Sequence, residues 1–363
     1  MAISTGEPAG QADVVDLVSA AAAGDPEAFG QLTEPYRRRL LVHCYRMLGS
    51  LDDADDAVQE TLLKAWRSLA GFQSRSSVLA WLYRIATNVC LDMMRYRARR
   101  ILPVAVAGPA DPHLPADPDD RDVPWLQPFP DALLEVADPD PLADPADVVI
   151  RGEHIELAFI AAIQYLPPRQ RAVLILREVL GWPAAETADL LGTSAASVNS
   201  ALRRARVALD RQLPQPGPTT PSQQAELVSK YVKAWNAKDV AALVALLRDD
   251  AHMAMPPTPS WYLGRDNIGI YIEHLFATPW GADLRLMPAA ANRQPALAVY
   301  APADDGYRPF AIKVFTVHDG CIAAITGFVS PPLFSRFGLP PRLEQQRAPT
   351  ADVHHGLFRN GGG

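Results

Sequence analysis

The chain has 363 residues, a length typical of two or three domains, and 48% of them are hydrophobic, which is enough to form buried cores. A net charge of −7 would argue against nucleic-acid binding if it were evenly spread, but acidic and basic residues are segregated along the chain. Three widely separated cysteines argue against a disulfide framework or a zinc site. Neither a signal peptide nor a membrane-spanning apolar run is present, so we expect a cytoplasmic protein without membrane contact, metal or cofactor.

Residues 1–12 are expected to be flexible. Residues 13–102 have helical periodicity nearly throughout. One predicted helix carries DADDAVQETLLKAW, in which Asp53, Asp56 and Glu60 recur at helical spacing on one side. The opposite side is small and apolar, as in a helix packed against a core. An acidic face of this kind is either solvated or a docking surface for a basic protein.

A basic helix follows the polar loop GFQSRSS and runs from Trp81 to Arg100. It carries five arginines against the single Asp92, with Tyr83 and Tyr96 interleaved. Aromatic rings stack on unpaired bases and arginines pair with phosphates, so the pattern favours nucleic-acid binding. Core packing is the alternative for Trp81, which stands near leucine and isoleucine.

Residues 103–145 are predicted to form an extended acidic linker, because prolines recur and Arg121 is the only base. Its one ordered-looking piece is WLQPFPD, from Trp125 to Asp131. We expect Trp125 and Phe129 to be exposed between prolines, as a stiff hydrophobic handle that another domain could grip.

Helices return in 146–213, where PAAETADLLG, a short turn and a basic helix form a predicted helix-turn-helix. The second helix of that motif enters the major groove of DNA. The side chains predicted to face DNA are Ser194, Ser197, Asn199, Ser200, Arg203 and Arg204. The predicted buried stripe comprises Val198, Leu202, Ala205 and Leu209. A helical hairpin with a solvated basic face is the alternative.

Residues 222–338 follow a second linker, 214–221, and combine helices with a later run of strands. Turns are predicted at 304–306 and 319–320. Helices followed by antiparallel strands indicate an α+β domain. The polar tail 339–363 is expected to be disordered.

Three segments resemble a known family. DADDAVQETLLKAW followed by SVLAWLYRIATNVCLDMMRYRARR is similar to region two of the extracytoplasmic-function sigma factors, and LPPRQRAVLILREVLGWPAAETADLLGTSAASVNSALRRARVAL is similar to region four. The last segment resembles the SnoaL-like domain appended in one branch of that family. The resemblance implies a multidomain fold: two all-α sigma domains, a region two helical bundle and a region four helix-turn-helix, then an α+β SnoaL-like (cystatin-cone) domain.

The resemblance also implies partners, namely core RNA polymerase, through its β′ clamp helices and β flap, and promoter DNA. Residues assigned to the polymerase are Asp53, Asp56, Ala57, Val58, Gln59 and Glu60. Residues assigned to the −10 element are Phe72, Arg75, Trp81, Arg84, Asn88, Arg95 and Arg99. The helix from Ser194 would read the −35 element. Whether a separate anti-sigma factor exists is left open.

For the last domain the resemblance implies a cone with an apolar cavity for a small-molecule ligand. The candidate pocket residues are Trp235, His252, Trp261, Tyr262 and Tyr271. Because no Ser-His-Asp or metal-ligand set is apparent, we expect regulation in cis rather than catalysis. The alternative is a DNA-binding regulator fused to a ligand-binding or enzymatic domain. The acidic helix favours the sigma factor, because a repressor needs no polymerase-docking face.

Overall fold

The computed structural model describes residues 11–72, 77–114, 123–134, 155–210 and 220–344, with side chains from residue 14 onward. Predictions for the following residues lie outside this part of the chain: 1–10, Arg75, 115–122, 135–154, 211–219 and 345–363. Within the described ranges, no helix is both long and apolar enough to cross a membrane.

The first part of the chain is helical, as predicted. Its helices are α1 (Gln11–Ala22), α2 (Pro26–Thr33), α3 (Arg37–Leu48), α4 (Leu51–Ser68) and α5 (Val78–Tyr96). Asp25 caps α2 by accepting a hydrogen bond from the Glu27 N–H, and Ser50 caps α4 through the Asp53 N–H. Gly49 ends α3 with φ of 72°, a left-handed conformation that lets α4 turn back sharply.

The second helical part contains the predicted helix-turn-helix. Its helices are α6 (Leu157–Ile163), α7 (Pro168–Leu174), α8 (Ala184–Leu191) and α9 (Ala195–Asp210). Gly192, with φ of 60°, ends α8 and starts the turn. The predicted stripe on α9 is confirmed, because the buried residues of that helix are Val198, Leu202, Ala205 and Leu209.

The C-terminal domain is α+β, as predicted. Its helices are α10 (Pro221–Ala237), α11 (Val240–Val244), α12 (Arg265–Ala277), α13 (Pro279–Ala282) and α14 (Leu333–Arg336). Its strands are β1 (Leu247–Ala254), β2 (Trp261–Leu263), β3 (Arg285–Ala291), β4 (Gln294–Ala303), β5 (Gly306–His318) and β6 (Cys321–Phe328). They form one sheet in the order β2-β1-β6-β5-β4-β3, antiparallel except for the parallel pair β1–β6.

The two faces of this sheet have different neighbours. The inner face packs against α10 and α12 in a core that includes Trp235, Ile272 and Phe315. The outer face, with Tyr300 and Val314, belongs to the same apolar core as the helices of the first and second helical parts. The outer face therefore joins the C-terminal domain to the rest of the chain.

Two expectations for the linker and the tail are wrong in the described residues. Phe129 is fully buried rather than exposed, because the helical part and the sheet close over it. Leu343 pairs with Tyr307 of β5 through two backbone hydrogen bonds of 2.9 Å, so the tail is ordered as far as residue 344.

Candidate functional site

Helix α4 buries part of the surface assigned to the polymerase. Ala57 is 0% exposed, Val58 4% and Asp53 6%, because the helical repeat turns all three toward the core. The carboxylate of Asp53 pairs with Arg97 and, at 2.6 Å, with Arg100, which offsets the cost of burying its charge. These three side chains face the core in this arrangement, so the prediction that they contact the polymerase is wrong for it.

As far as Leu63, the solvent-facing stripe of α4 is formed by Asp52, Asp56, Gln59 and Leu63, spaced four, three and four residues apart; the exposed Arg67 follows in the last turn. We call the set from Asp52 to Leu63 the α4 stripe. Asp56 and Gln59 were predicted, whereas Asp52 and Leu63 were missed. Leu63, 51% exposed, was detectable because it continues the spacing of Asp56 and Gln59. Glu60 lies beside the stripe, 3.6 Å from Lys64.

Asp55 of α4 is held by the C-terminal domain. Arg336, the last residue of α14, forms an ion pair with Asp55, whose side chain is 31% exposed. Asp55 is next to Asp56 of the α4 stripe. The C-terminal domain therefore places a positive charge beside the surface predicted to meet a basic partner.

Helix α5 presents most of the side chains predicted for the −10 element on one face. Trp81, Arg84, Asn88 and Arg95 follow helical spacing; the last three are exposed and Trp81 is half-buried. The ring of Phe72 lies 5.0 Å from that of Trp81, so these aromatics share a surface. Such a surface could hold an unstacked base.

Arg99 and the α5 face lie against the second helical part. The Arg99 guanidinium lies 4.4 Å from the centre of the Tyr165 ring, an intramolecular cation–π contact. Asn88 and Arg95 line a cleft of about 370 Å³, closed on the far side by Pro167 and neighbouring residues. The predicted −10 surface of α5 thus lies against the second helical part in this structure.

Arg171 of α7 holds the two helical parts together. Its guanidinium is 4% exposed, and it donates to the carbonyl of Met47, to Gln164 Oε1 at 2.6 Å and to the Gln164 carbonyl at 2.8 Å. Burial lowers the pKa of Arg171 to about 10, so the group stays charged at neutral pH. A buried cation that contacts both helical parts favours the arrangement in which they are packed together. We call this the closed arrangement.

The recognition helix α9 carries its predicted DNA-facing side chains outside the buried stripe. Ser197, Asn199, Arg203 and Arg204 are exposed, and Ser200 is half-buried. The hydroxyl of Ser194 caps the helix through the Ser197 N–H at 3.2 Å. One side of α9 therefore offers small polar groups first and arginines later, as major-groove reading requires.

The five predicted pocket residues do not share one cavity wall, because they lie on opposite faces of the sheet. Tyr262 pairs with Met253 and points to the inner face, whereas Trp261 pairs with Ala254 and points outward with His252. On the inner side, the Tyr262 and Tyr271 rings are 4.7 Å apart.

The inner side of the cone is packed with the chain's own side chains. Trp235 is fully buried, and Lys313 Nζ lies 3.9 Å from the centre of its ring. Burial lowers the pKa of Lys313 to about 7. The indole Nε1 of Trp235 and the hydroxyl of Tyr231 have no hydrogen-bond partner among the described residues.

The WLQPFPD segment connects all parts at what we call the joint, formed by Tyr45, Gln127, Phe129, Ile155 and Asn292. The Asn292 side chain accepts from the Phe129 N–H at 2.8 Å and donates to Tyr45 Oη at 2.9 Å and the Ile155 carbonyl at 2.7 Å. Tyr45 Oη in turn donates to the Gln127 carbonyl at 2.8 Å. One buried asparagine of the β3–β4 turn thus ties both helical parts and the linker to the sheet.

The joint also reaches helix α4. Gln127 Oε1 accepts hydrogen bonds from the Leu51 N–H at 2.7 Å and the Ser50 hydroxyl at 3.0 Å, and Gln127 Nε2 donates to Asp52 at 2.7 Å. A Cβ added to Gly49 would lie 2.9 Å from Leu126, so the linker rests directly on the α3–α4 turn. The joint could not be foreseen from sequence, because its members are up to 247 residues apart.

Three families match the chain in order: Sigma-70 region 2 at residues 32–100, Sigma-70 region 4 at 156–209 and the SnoaL-like domain at 228–325. The ECF RNA polymerase sigma factor SigG of Mycobacterium tuberculosis is 44% identical over 325 residues, covering 87% of this chain and 85% of the relative. The sigma factor SigJ of that organism is 26% identical over 337 residues, covering 89% and 97%. The crystal structure of SigJ superposes with a TM-score of 0.56 at 25% identity, covering 84% of this chain and 97% of SigJ.

Proposed function

The chain belongs to the extracytoplasmic-function family of sigma-70 factors, and on that premise we propose how its parts act: α4 binds core RNA polymerase, α5 and α9 recognise the promoter, and the C-terminal domain restrains both steps in cis. The protein works in the cytoplasm on the β′ clamp helices and β flap, and it catalyses no reaction of its own.

Contact with the polymerase is assigned to the α4 stripe. It combines two carboxylates, an amide and Leu63, and so offers charge complementarity for a basic partner together with an apolar contact. Asp53, Ala57 and Val58 support this stripe from within rather than touching the partner. Glu60 contributes from its edge.

Promoter recognition is assigned to two surfaces. The face of α5 with Phe72 and Trp81 supplies rings for an unstacked −10 base, and Arg84 and Arg95 supply phosphate contacts. Helix α9 reads the −35 element, with Asn199 and its serine neighbours directed to base edges and its arginines to phosphates.

Restraint in cis is supported chiefly by the Asp55–Arg336 ion pair. It places a cation of the C-terminal domain beside the α4 stripe, where a basic polymerase surface would be repelled. The Arg171 and Asn292 contacts hold the same closed arrangement, in which α5 faces the second helical part. Polymerase and promoter binding therefore favour an open form.

Core polymerase binding by the full chain tests this proposal. Arg336→Glu should raise affinity for core polymerase several-fold, because it removes the competing cation and repels Asp55. Arg342→Glu is a matched control, since Arg342 pairs with Asp305 within the C-terminal domain. Equal affinities for the two variants would contradict restraint by Arg336.

The sigma activity itself needs a separate measurement. Transcription from a library of genomic fragments, with core polymerase alone and with the full chain added, should yield new start sites that share two upstream elements. A chain ending at Asp210 should increase the yield from these sites if the C-terminal domain restrains it. If neither chain yields new start sites, the proposal that the protein directs transcription from promoters is contradicted.

A further inference from the structure

A cavity outside the cone lies where the three parts of the chain meet. It has a volume of about 510 Å³, within the range of small-molecule sites. One wall is the outer face of β1, β5 and β6, another is α6, and the third is the segment just after α5. We call it the three-part cleft.

The walls of the three-part cleft differ in polarity. Helix α6 and the segment after α5 contribute apolar side chains, among them Leu102, Val104, Leu157 and Ala161. The sheet contributes polar ones, among them Arg248, His252, Thr316 and His318. A ligand that fits has an apolar body with hydrogen-bonding groups along one edge.

His252 is the imidazole of the sheet wall that a ligand can reach, because it lines the cleft and is only half-buried. His318 lies deeper: it is 7% exposed, and its Nδ1 is enclosed by the protein. A ligand hydroxyl or carbonyl therefore gains a hydrogen bond at His252. Burial, assisted by the Arg248 guanidinium, lowers the pKa of His318, and burial lowers that of His252, so both rings are neutral at neutral pH.

The fixed charges at the cleft neutralise one another. Arg248 forms two hydrogen bonds to Asp250, Nε to Oδ1 at 2.8 Å and Nη2 to Oδ2 at 2.9 Å. The nearby Asp319 lies in the β5–β6 turn rather than in the cleft wall. With neutral imidazoles and a paired arginine, the site has no free charge to attract an ionic ligand.

We propose that the three-part cleft binds an uncharged, mainly apolar organic molecule with hydroxyl or carbonyl groups along one edge. Because its walls come from three parts of the chain, the complete site exists only in the closed arrangement. The ligand therefore stabilises that arrangement and weakens polymerase binding. This second step rests on the proposed sigma function, whereas ligand binding does not.

Fluorescence titration of the full chain tests the site with two neutral probes, N-phenyl-1-naphthylamine and 7-hydroxy-4-methylcoumarin, at pH 6.5. Both should bind with 1:1 stoichiometry, and Ala161→Trp, which fills the cleft, should weaken both by about tenfold or more. Ala241→Trp, on an exposed position of α11, is the matched control and should leave both unchanged. Failure of both probes to bind, or equal effects of the two variants, would overturn the site.

A second variant tests the polar wall. His252→Leu should weaken the hydroxycoumarin by about fivefold, the value of one hydrogen bond, and leave the naphthylamine unchanged. The anionic probe 8-anilinonaphthalene-1-sulfonate should bind more weakly than either neutral probe; tighter binding would overturn the assignment to uncharged ligands. The coupling between ligand binding and polymerase binding is measured separately, as a fall in the affinity for core polymerase when the probe is added. Probe binding without that fall would contradict the coupling and leave the site intact.

Discussion

Replacing Asn292 with glycine should release the C-terminal domain from the helical parts. Asn292 is fully buried and has φ of 57°, a conformation that glycine adopts without strain. The substitution therefore removes the side-chain hydrogen bonds of the joint and leaves the turn geometry in place. Arg293→Gly is the matched control, because Arg293 is the next residue, is exposed and has φ of 55°.

The expected magnitude follows from the three side-chain hydrogen bonds, to Phe129, Tyr45 and Ile155. At about 1 kcal/mol net for each buried bond, their loss should lower the free energy of opening by about 3 kcal/mol. That value corresponds to a roughly 100-fold larger open population. Backbone effects of glycine are shared with Arg293→Gly and cancel in the difference.

Hydrogen exchange in the linker reports this opening. The amides of Leu126 and Gln127 donate to the carbonyls of Ile101 and Gly49, and neither contact involves Asn292. In the Asn292→Gly variant both amides should exchange roughly 100-fold faster than in Arg293→Gly, provided that exchange occurs through opening. Equal exchange at these two amides would refute the view that Asn292 holds the joint.

Three further predictions concern polymerase, DNA and pH. Asp56→Arg should abolish core polymerase binding while preserving the fold. Asp16→Arg, an equal charge reversal at an exposed position of α1, should keep that binding, and a pull-down with core enzyme distinguishes the two. Arg203→Ala should weaken promoter binding and reduce the slope of log affinity against log salt concentration by about one. Asn199→Ala should instead change the base preference at the upstream element. Unchanged promoter binding in both variants would exclude α9 as the helix that reads this element. Burial, reinforced by a nearby arginine, lowers the pKa of His43 to about 3. Below the unfolded pKa of about 6.5 only the unfolded chain binds this proton, so from pH 7 to pH 5 stability should fall by about 2 kcal/mol more than in His43→Asn, as measured by urea denaturation.

Local patterns in the sequence predicted the elements well. The buried stripe of α9 followed from 3.6-residue periodicity, and the strands and turns of the sheet followed from alternation and Asp-Gly pairs. The three-residue strand β2 was missed because so short a segment carries no periodic signal. The assigned domain limits and DNA contacts stay predictions.

Long-range contacts were beyond the reach of those patterns. Asp53 was grouped with Asp56 and Glu60 because the three recur at helical spacing, yet Arg97 and Arg100, which follow α5, allow its burial. His252 and Tyr262 were assigned to one pocket from the resemblance to a cone-shaped domain, but strand register places them on opposite faces of the sheet. Which face of a strand points inward depends on partners that the local sequence does not identify.

The shared core behind the joint has a consequence for the chain as it leaves the ribosome. Both helical parts are complete at Asp210, but the outer sheet face that covers Phe129 requires β6, which ends at Phe328. Translating those roughly 120 residues takes about 6–24 s at about 5–20 residues per second. For that interval the nascent chain has the helices proposed to read the promoter but lacks the domain proposed to restrain them. Under that proposal, each newly made molecule passes through an unrestrained period before translation ends.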